Sequence, residues 1–502
     1  MAFSEDYFKL FDNAPAFHDK VAHKYLLASQ SAHISERLLR CIWFDKLYDG
    51  HKLTTHDGAP IIVHSPGTWN LESGPDFRNA DLTIARRRVK GDVELHLDPD
   101  GWRLHGHAQD PRYDNVILHV VLKARQKGEP PLSRHGVEIS EVAFWNCLTD
   151  DLKVLKCALR PDEYPYKSLR NFGRCQALLE QLPAGAAPRL LNIAGDARII
   201  AKQRRFGYEA EKLDLDQVAY CAILEGLGYK AFTKQFAQLA QKLPYHRLRE
   251  RALSVPHANR PLLTQALLLG AAGLLDCSDK ETPAESRGYL NVLCRLWREF
   301  GFDDPPEPTI TWKASAVRPA NLPERRIAGV SHVLSRSFDD GLFNSIVGCV
   351  TNENVKTARN SSIEFLSSAT DDFWSHHYTA SGKRTEKPVS LLGKGRALTI
   401  AVNAFVPLGL LHARTATRPD YENRVHQLYS SLPSPIANSI SRLMEYRMFG
   451  PEPRQRLART ARAQQGLLQI FADWCSDDPS CENCGILSGL QTGFIKDKIT
   501  AP

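Results

Sequence analysis

At 502 residues the chain is too long for one ordinary domain and long enough for about two or three with proper cores. A hydrophobic fraction of 43% and a charged fraction of 24% exclude a disordered or largely membrane-embedded chain. The net charge of +7 permits nucleic-acid contact without requiring it, and 11 cysteines, an odd number, argue against a disulfide framework.

The opening MAFSEDYFKLF lacks a basic start followed by an apolar run, so a cytoplasmic location is expected. The segment ISERLLRCIWFDKLY is helix-like and carries Glu36 near its start. Two strand-like segments follow. In ADLTIA, Ala80, Leu82 and Ile84 alternate with Asp81 and Thr83; in DVELHLD, Val93, Leu95 and Leu97 fall on one face and Asp92, Glu94, His96 and Asp98 on the other. RRRVKG between them is expected as a hairpin turn, and Asp76, in a Gly-Pro-Asp corner ahead of the first strand, is expected near Glu94. WRLHGHAQDPRYDN then gathers His105, His107, Asp110 and Asp114 in a loop or short helix over the site, touching metal or substrate or simply ordering a polar loop. A third strand, NVILHVVLK, is mostly apolar, so His119 within it needs a partner.

This density of carboxylates and imidazoles on short strands points to metal chemistry. Hard cations such as magnesium favour oxygen ligands and keep waters, so Asp76, Glu94 and the carbonyl of Leu95 suffice when a phosphate completes the shell. His96, on the face of Glu94, would orient the attacking water or accept its proton, or would ligate manganese. The bland alternative is a solvated sheet face. Arg86, Arg87, Arg88 and Lys90, in the turn beside the site, are expected to contact nucleic-acid phosphates.

Beyond about Pro165, apolar residues recur at three- and four-residue intervals, as in LDQVAYCAILEGLGYKAFTKQFAQLAQKLP, RPLLTQALLLGAAGLL, RGYLNVLCRLWREF, RRIAGVSHVLSRSF and SPIANSISRLMEYRMFG. ALLLGAAGLL from Ala266 and LTIAVNAFVPLGLL from Leu398 fall short of a membrane span and read as buried helices. Cys41, Cys147, Cys157, Cys221, Cys277, Cys294 and Cys349 lie in or beside hydrophobic segments and are expected as buried reduced thiols. WCSDDPSCENCGI is different: Cys475, Cys481 and Cys484 form a C-x5-C-x2-C whose C-x2-C knuckle would let two thiolates grip one ion, with Cys175 in NFGRCQ as the candidate fourth ligand; the alternative is surface-exposed thiols. Zinc, or an iron-sulfur cluster of the 4Fe-4S type, is expected there as a structural staple.

The Pro75-Asp76 step and Glu94-Leu95-His96 resemble the PD-(D/E)xK nuclease superfamily, with Glu36 at the place of its first-helix glutamate and His96 where that family carries lysine. The resemblance implies an α/β restriction-endonuclease-like N-terminal domain over residues 1–165, and a magnesium- or manganese-dependent nuclease of DNA or RNA. A mainly α-helical domain over 166–470 and a cysteine-containing tail over 471–502 would follow. A binding protein with a decayed site, a scaffold built on the cysteines, and a non-nuclease metallohydrolase using His105, His107 and His119 are the alternatives. ESGPDF, GDVELH, the string from Trp102 to Val121, LLLGAAGLL, RPANLP at Arg318 to Pro323 and the terminal cysteines together resemble the bacterial family catalogued as domain of unknown function 2851, which implies no established activity.

Overall fold

A computed structural model describes residues 3–11, 35–70, 74–124, 130–159, 173–277, 284–302, 310–312, 318–367, 371–380, 382–450, 458–475 and 484–493, with Pro161, Tyr164, Cys481, Ile495 and Ile499. The expected boundary at Pro165, the side chain of Cys157 and most of the turn between Cys475 and Cys484 lie outside these residues. The chain forms two compact units. One comprises Gly185–Ala437 with Met1–Asp12 and Arg456–Gln469; the other comprises Asn13–Ala184 with Asn438–Gln455 and Ile470–Pro502, so the cysteine-bearing C-terminus belongs with the N-terminal sheet.

That sheet is mixed. Its strands are β1 (Ile61–Ser65), β2 (Thr68–Trp69), β3 (Phe77–Ile84), β4 (Arg87–His96), β5 (Val116–Val121) and β6 (Ser140–Ala143), ordered β1-β3-β4-β5-β6 with β2 beside β3. β1, β3 and β4 run antiparallel, whereas β4, β5 and β6 run parallel. The β3–β4 turn is only Ala85 and Arg86, at φ 49° and 68°, which is the primed geometry that matches strand twist. Arg87, Arg88 and Lys90, expected in a turn, instead extend β4, because Val89 pairs with Leu82 and continues the ladder. A bulge at Asn79 is tied down by the buried Asp92, whose carboxylate accepts the Asn79 amide proton at 3.0 Å.

One sheet face is the core. Leu82, Val93, Leu95, Leu118, Val120 and Val142 cluster with Leu38, Leu39, Ile42 and Trp43 of the helix Glu36–Phe44. Each such side chain stabilises the unit by roughly 1.5–3 kcal/mol. Ser35 caps that helix, its side chain accepting from the Leu38 amide, which leaves Glu36 and Arg40 on successive turns. The β4–β5 crossover holds the short helix Gly101–Leu104 and the 3-10 turns His107–Gln109 and Pro111–Tyr113, so the histidine-rich segment returns over the end of β4.

The other unit is helical, and the four periodic stretches that fall within it form Leu215–Lys242, Arg260–Ala271, Ala284–Phe300 and Pro323–Ser335. The fifth, Ser439–Phe449, lies in the sheet-bearing unit. The apolar segment around Leu398 lies within Lys394–Thr415, which is long and apolar enough to cross a membrane by composition (mean hydropathy 1.3), yet 72% of that window is buried inside the protein. A π-turn at Ala401–Phe405 precedes Pro407, whose missing amide proton interrupts the α-helical ladder. Cys277 and Cys294 correct the expectation of reduced thiols: their Cα atoms are 5.7 Å apart and the sulfurs are joined, a proximity that local sequence context does not reveal.

Candidate functional site

Where the C-terminal half of β4 meets β5 and β6, the second face of the sheet is buried as thoroughly as the first. Asp76, Glu94, His96 and Glu141 are 4%, 5%, 1% and 6% exposed and His119 is fully enclosed, which rules out a solvated polar face. Parallel register sets Glu94 of β4 beside His119 of β5 and His119 beside Glu141 of β6, and His96 shares their face two positions beyond Glu94.

Asp76 and Glu94 are locked by backbone amides. The Asp76 amide donates to Glu94 Oε2 at 3.0 Å, and the Leu95 amide donates to Asp76 Oδ2 at 3.1 Å. Asp76 Oδ1 meets Arg40 Nη2 at 2.7 Å. Burial, then the Glu94 charge, push the Asp76 carboxyl up to about 8 against the pull of Arg40, and Glu36 adds to the rise. Burial likewise lifts Glu94 to about 8 despite its hydrogen bond and Arg40, with Glu36 again adding to it. Glu36, Asp76 and Glu94 therefore share one locality.

Four imidazoles adjoin the carboxylates. His96 Nδ1 lies 2.8 Å from His119 Nε2, and His119 Nδ1 lies 3.0 Å from Glu141 Oε2. His96 Nε2 lies 3.0 Å from His105 Nδ1 and 3.3 Å from His107 Nε2. Glu94 Oε1 is 3.3 Å from His107 Nε2 and 3.7 Å from His96 Nε2. The ring of Tyr113 stacks on His107 at 3.9 Å. Burial, then the neighbouring His119, His107 and His105, bring His96 down to about 2, so it is neutral; burial lowers His107 as well.

Other expected residues are elsewhere or otherwise engaged. Asp110 caps the turn Pro111–Tyr113 and pairs with Arg112, while Asp114 pairs with Arg134 at 2.7 Å, so both order the loop. The basic hairpin tip is not beside the site. Antiparallel register places it at the far end of β3 and β4, roughly 20–26 Å from Glu94 at about 3.3 Å per residue, with Arg86 and Arg87 exposed and Arg88 bound to Asp81. Sequence reading missed Arg40 and Glu141; the signal for Glu141 was the need of a buried histidine for a carboxylate on the next strand.

Cys175, Cys481 and Cys484 lie in the same unit, near enough for each charge to be felt at Cys175. Burial, then Cys484 and Cys481, raise the Cys175 thiol to about 12. The Gly173 amide donates to the Arg447 carbonyl at 2.8 Å, and the buried Arg447 guanidinium approaches Cys481 Sγ at 3.6 Å. In the helical unit, a cavity of about 560 Å³ is lined by Gln265, Tyr289, His332, Asp371 and Phe373 among others. Asp371 Oδ2 there meets His332 Nε2 and Gln265 Nε2, each at 2.9 Å. No single stretch of sequence announced it.

A family model described as protein of unknown function (DUF2851) matches residues 36–437. The chain belongs to that family. The DUF2851 match takes in Glu36, the sheet, the imidazoles and Cys175, and ends before Cys475. The resemblance noted above is therefore narrower than the whole chain. No curated protein and no solved structure matches this DUF2851 chain significantly.

Proposed function

We propose that the sheet-bearing unit hydrolyses phosphodiester bonds in DNA or RNA with magnesium or manganese held by Asp76 and Glu94. One observation supports this most: the carboxylate just ahead of β3 and the one on β4 are almost wholly removed from water, Glu36 adds to the negative charge, and Arg40 pairs with Asp76. Buried charge is costly unless compensated, and a dense set of carboxylate oxygens suits a hard divalent cation. Such an ion would offset charge on a phosphorus under attack by water. Asp76 and Glu94 would orient it, since the Leu95 and Asp76 amides fix one oxygen of each carboxylate. Arg40, partly exposed, is placed to turn from Asp76 to a substrate phosphate. Arg86 and Arg87 would hold the nucleic-acid backbone away from the reacting bond.

In this reading the mixed sheet and the helix Glu36–Phe44 form a PD-(D/E)xK-like core. Asp76, Glu94 and Glu36 take its acidic positions, and His96 departs from its lysine. A binding protein with a decayed site draws support from that departure, because His96 is held by His119 and lies within an imidazole cluster. Cys175, Cys481 and Cys484, with Cys475, form in our reading a structural zinc or 4Fe-4S site stapling the C-terminus to its unit. The test is cleavage of single-stranded and duplex DNA and RNA by the full chain in magnesium and in manganese. Cleavage lost in Asp76→Ala and Glu94→Ala supports the proposal; no cleavage by the wild type in either metal, or full activity in both variants, overturns it.

A further inference from the structure

His96, His105 and His107 each offer a ring nitrogen, all within 4.8 Å of one another, and Glu94 Oε1 lies beside two of them, 3.3 Å from His107 Nε2 and 3.7 Å from His96 Nε2. A tetrahedral zinc ion with bonds of about 2.0–2.1 Å sets its ligand atoms roughly 3.3 Å apart. The spacings on the His96 nitrogen, 3.0 and 3.3 Å, fall around that figure.

Hydrogen-bond logic fixes which lone pair faces this centre. With Glu141 ionised, so that it only accepts, and His119 neutral, His119 donates through Nδ1 and accepts at Nε2. His96 then donates through Nδ1, which leaves its Nε2 without a proton and its lone pair aimed at His105, His107 and Glu94. One lone pair meets two imidazole nitrogens and a carboxylate oxygen. Protons on His105 Nδ1 and His107 Nε2 would satisfy these atoms two by two, whereas one metal ion would draw the imidazoles and the carboxylate to a single centre.

We infer that His96, His105, His107 and Glu94 form a transition-metal site of the zinc class, with His119 and Glu141 behind His96 as the groups that orient it. Imidazole donors suit zinc, copper, iron or nickel far better than magnesium. A carboxylate–histidine relay behind a ligating histidine fixes its tautomer and raises its basicity. The site shares Glu94 with the cation site proposed above: Oε2 is held on the Asp76 side and Oε1 faces the imidazoles. Glu94 would thus bridge two ions of different chemistry. His105 is exposed and forms the entry side, while His107 is held by the Tyr113 ring.

The experiment is zinc content and cobalt substitution of the full chain after chelation and dialysis. His105→Ala, at an exposed position that leaves folding intact, and His107→Ala should each hold one zinc fewer than wild type and lose the visible cobalt bands of nitrogen and oxygen ligation. Asp76→Ala should keep that zinc, and Cys481→Ser should keep those bands, which separates this site from the carboxylate and cysteine sites. Glu141→Gln should weaken zinc binding roughly 10–100-fold. Unchanged zinc content and an unchanged cobalt spectrum in both histidine variants would overturn the inference. Because no step of this test reads cleavage, an inactive protein that binds zinc in this manner sinks the nuclease reading alone.

Discussion

Protein stripped of metal by a chelator should lose stability steeply as pH rises, because Arg40 is then left to balance the buried Asp76 and Glu94 without the ion. Burial first and the Glu94 charge second lift Asp76 from the usual 3.8 to about 8. With the folded value above the unfolded one, stability is fully present below about pH 4 and is lost as pH climbs through about 8. At about 1.4 kcal/mol per tenfold change, one carboxylate carried across that window costs roughly 5 kcal/mol. For a unit of this size that is roughly 10–20 °C in Tm. Thermal melts followed by circular dichroism, from about pH 4.5 to about pH 9 with chelator and then with manganese, measure it directly. The wild type should fall across the range, Asp76→Asn should lose part of the slope while Glu94 keeps the rest, and manganese should restore the wild type. A flat wild-type profile, or a variant slope equal to the wild type, would refute the reasoning.

Gly101→Ala should cost roughly 1–3 kcal/mol in a urea melt and loosen the imidazole cluster, since overpacked sites force side chains to shift. A Cβ there would lie 2.6 Å from the Cγ of His96. Arg86→Ala with Arg87→Ala should weaken nucleic-acid binding and reduce its salt slope by about 1 per lost phosphate contact, read by titrations at several salt concentrations. An unchanged slope would remove the hairpin tip from the interface. Cys481→Ser should lower bound metal and Tm together, because closing so long a loop makes metal binding part of the folding free energy. A variant that melts like the wild type would dispose of the staple.

Much of the site was legible because it rests on local pattern. The alternation in DVELHLD put Glu94 and His96 on one face and Val93 and Leu95 on the other, and the pairing of β3 with β4 brought Asp76 to Glu94. The apolar setting of NVILHVVLK announced that His119 needed a partner, but not that the partner would be both His96 and Glu141. That depends on the register of β5 against β4 and β6, which is set by a crossover and a long connection rather than by a turn. Arg40 was hidden for a similar reason, since only the packed helix carries it to Asp76. The hairpin misled in the opposite direction. A run of arginines reads as a turn, yet Ala85 and Arg86 suffice to reverse the chain, and the remaining cationic residues become strand far from the carboxylates. The union of Cys277 with Cys294 follows from a fold that local hydrophobicity does not encode.

On the proposed function, Asp76 and Glu94 together would hold a divalent cation. Anomalous scattering from manganese in crystals of the full chain tests it most directly. The expected result is a peak between the two carboxylates that disappears in Glu94→Ala. Manganese found only at other positions, or no peak beside Asp76 at saturating metal, would contradict it.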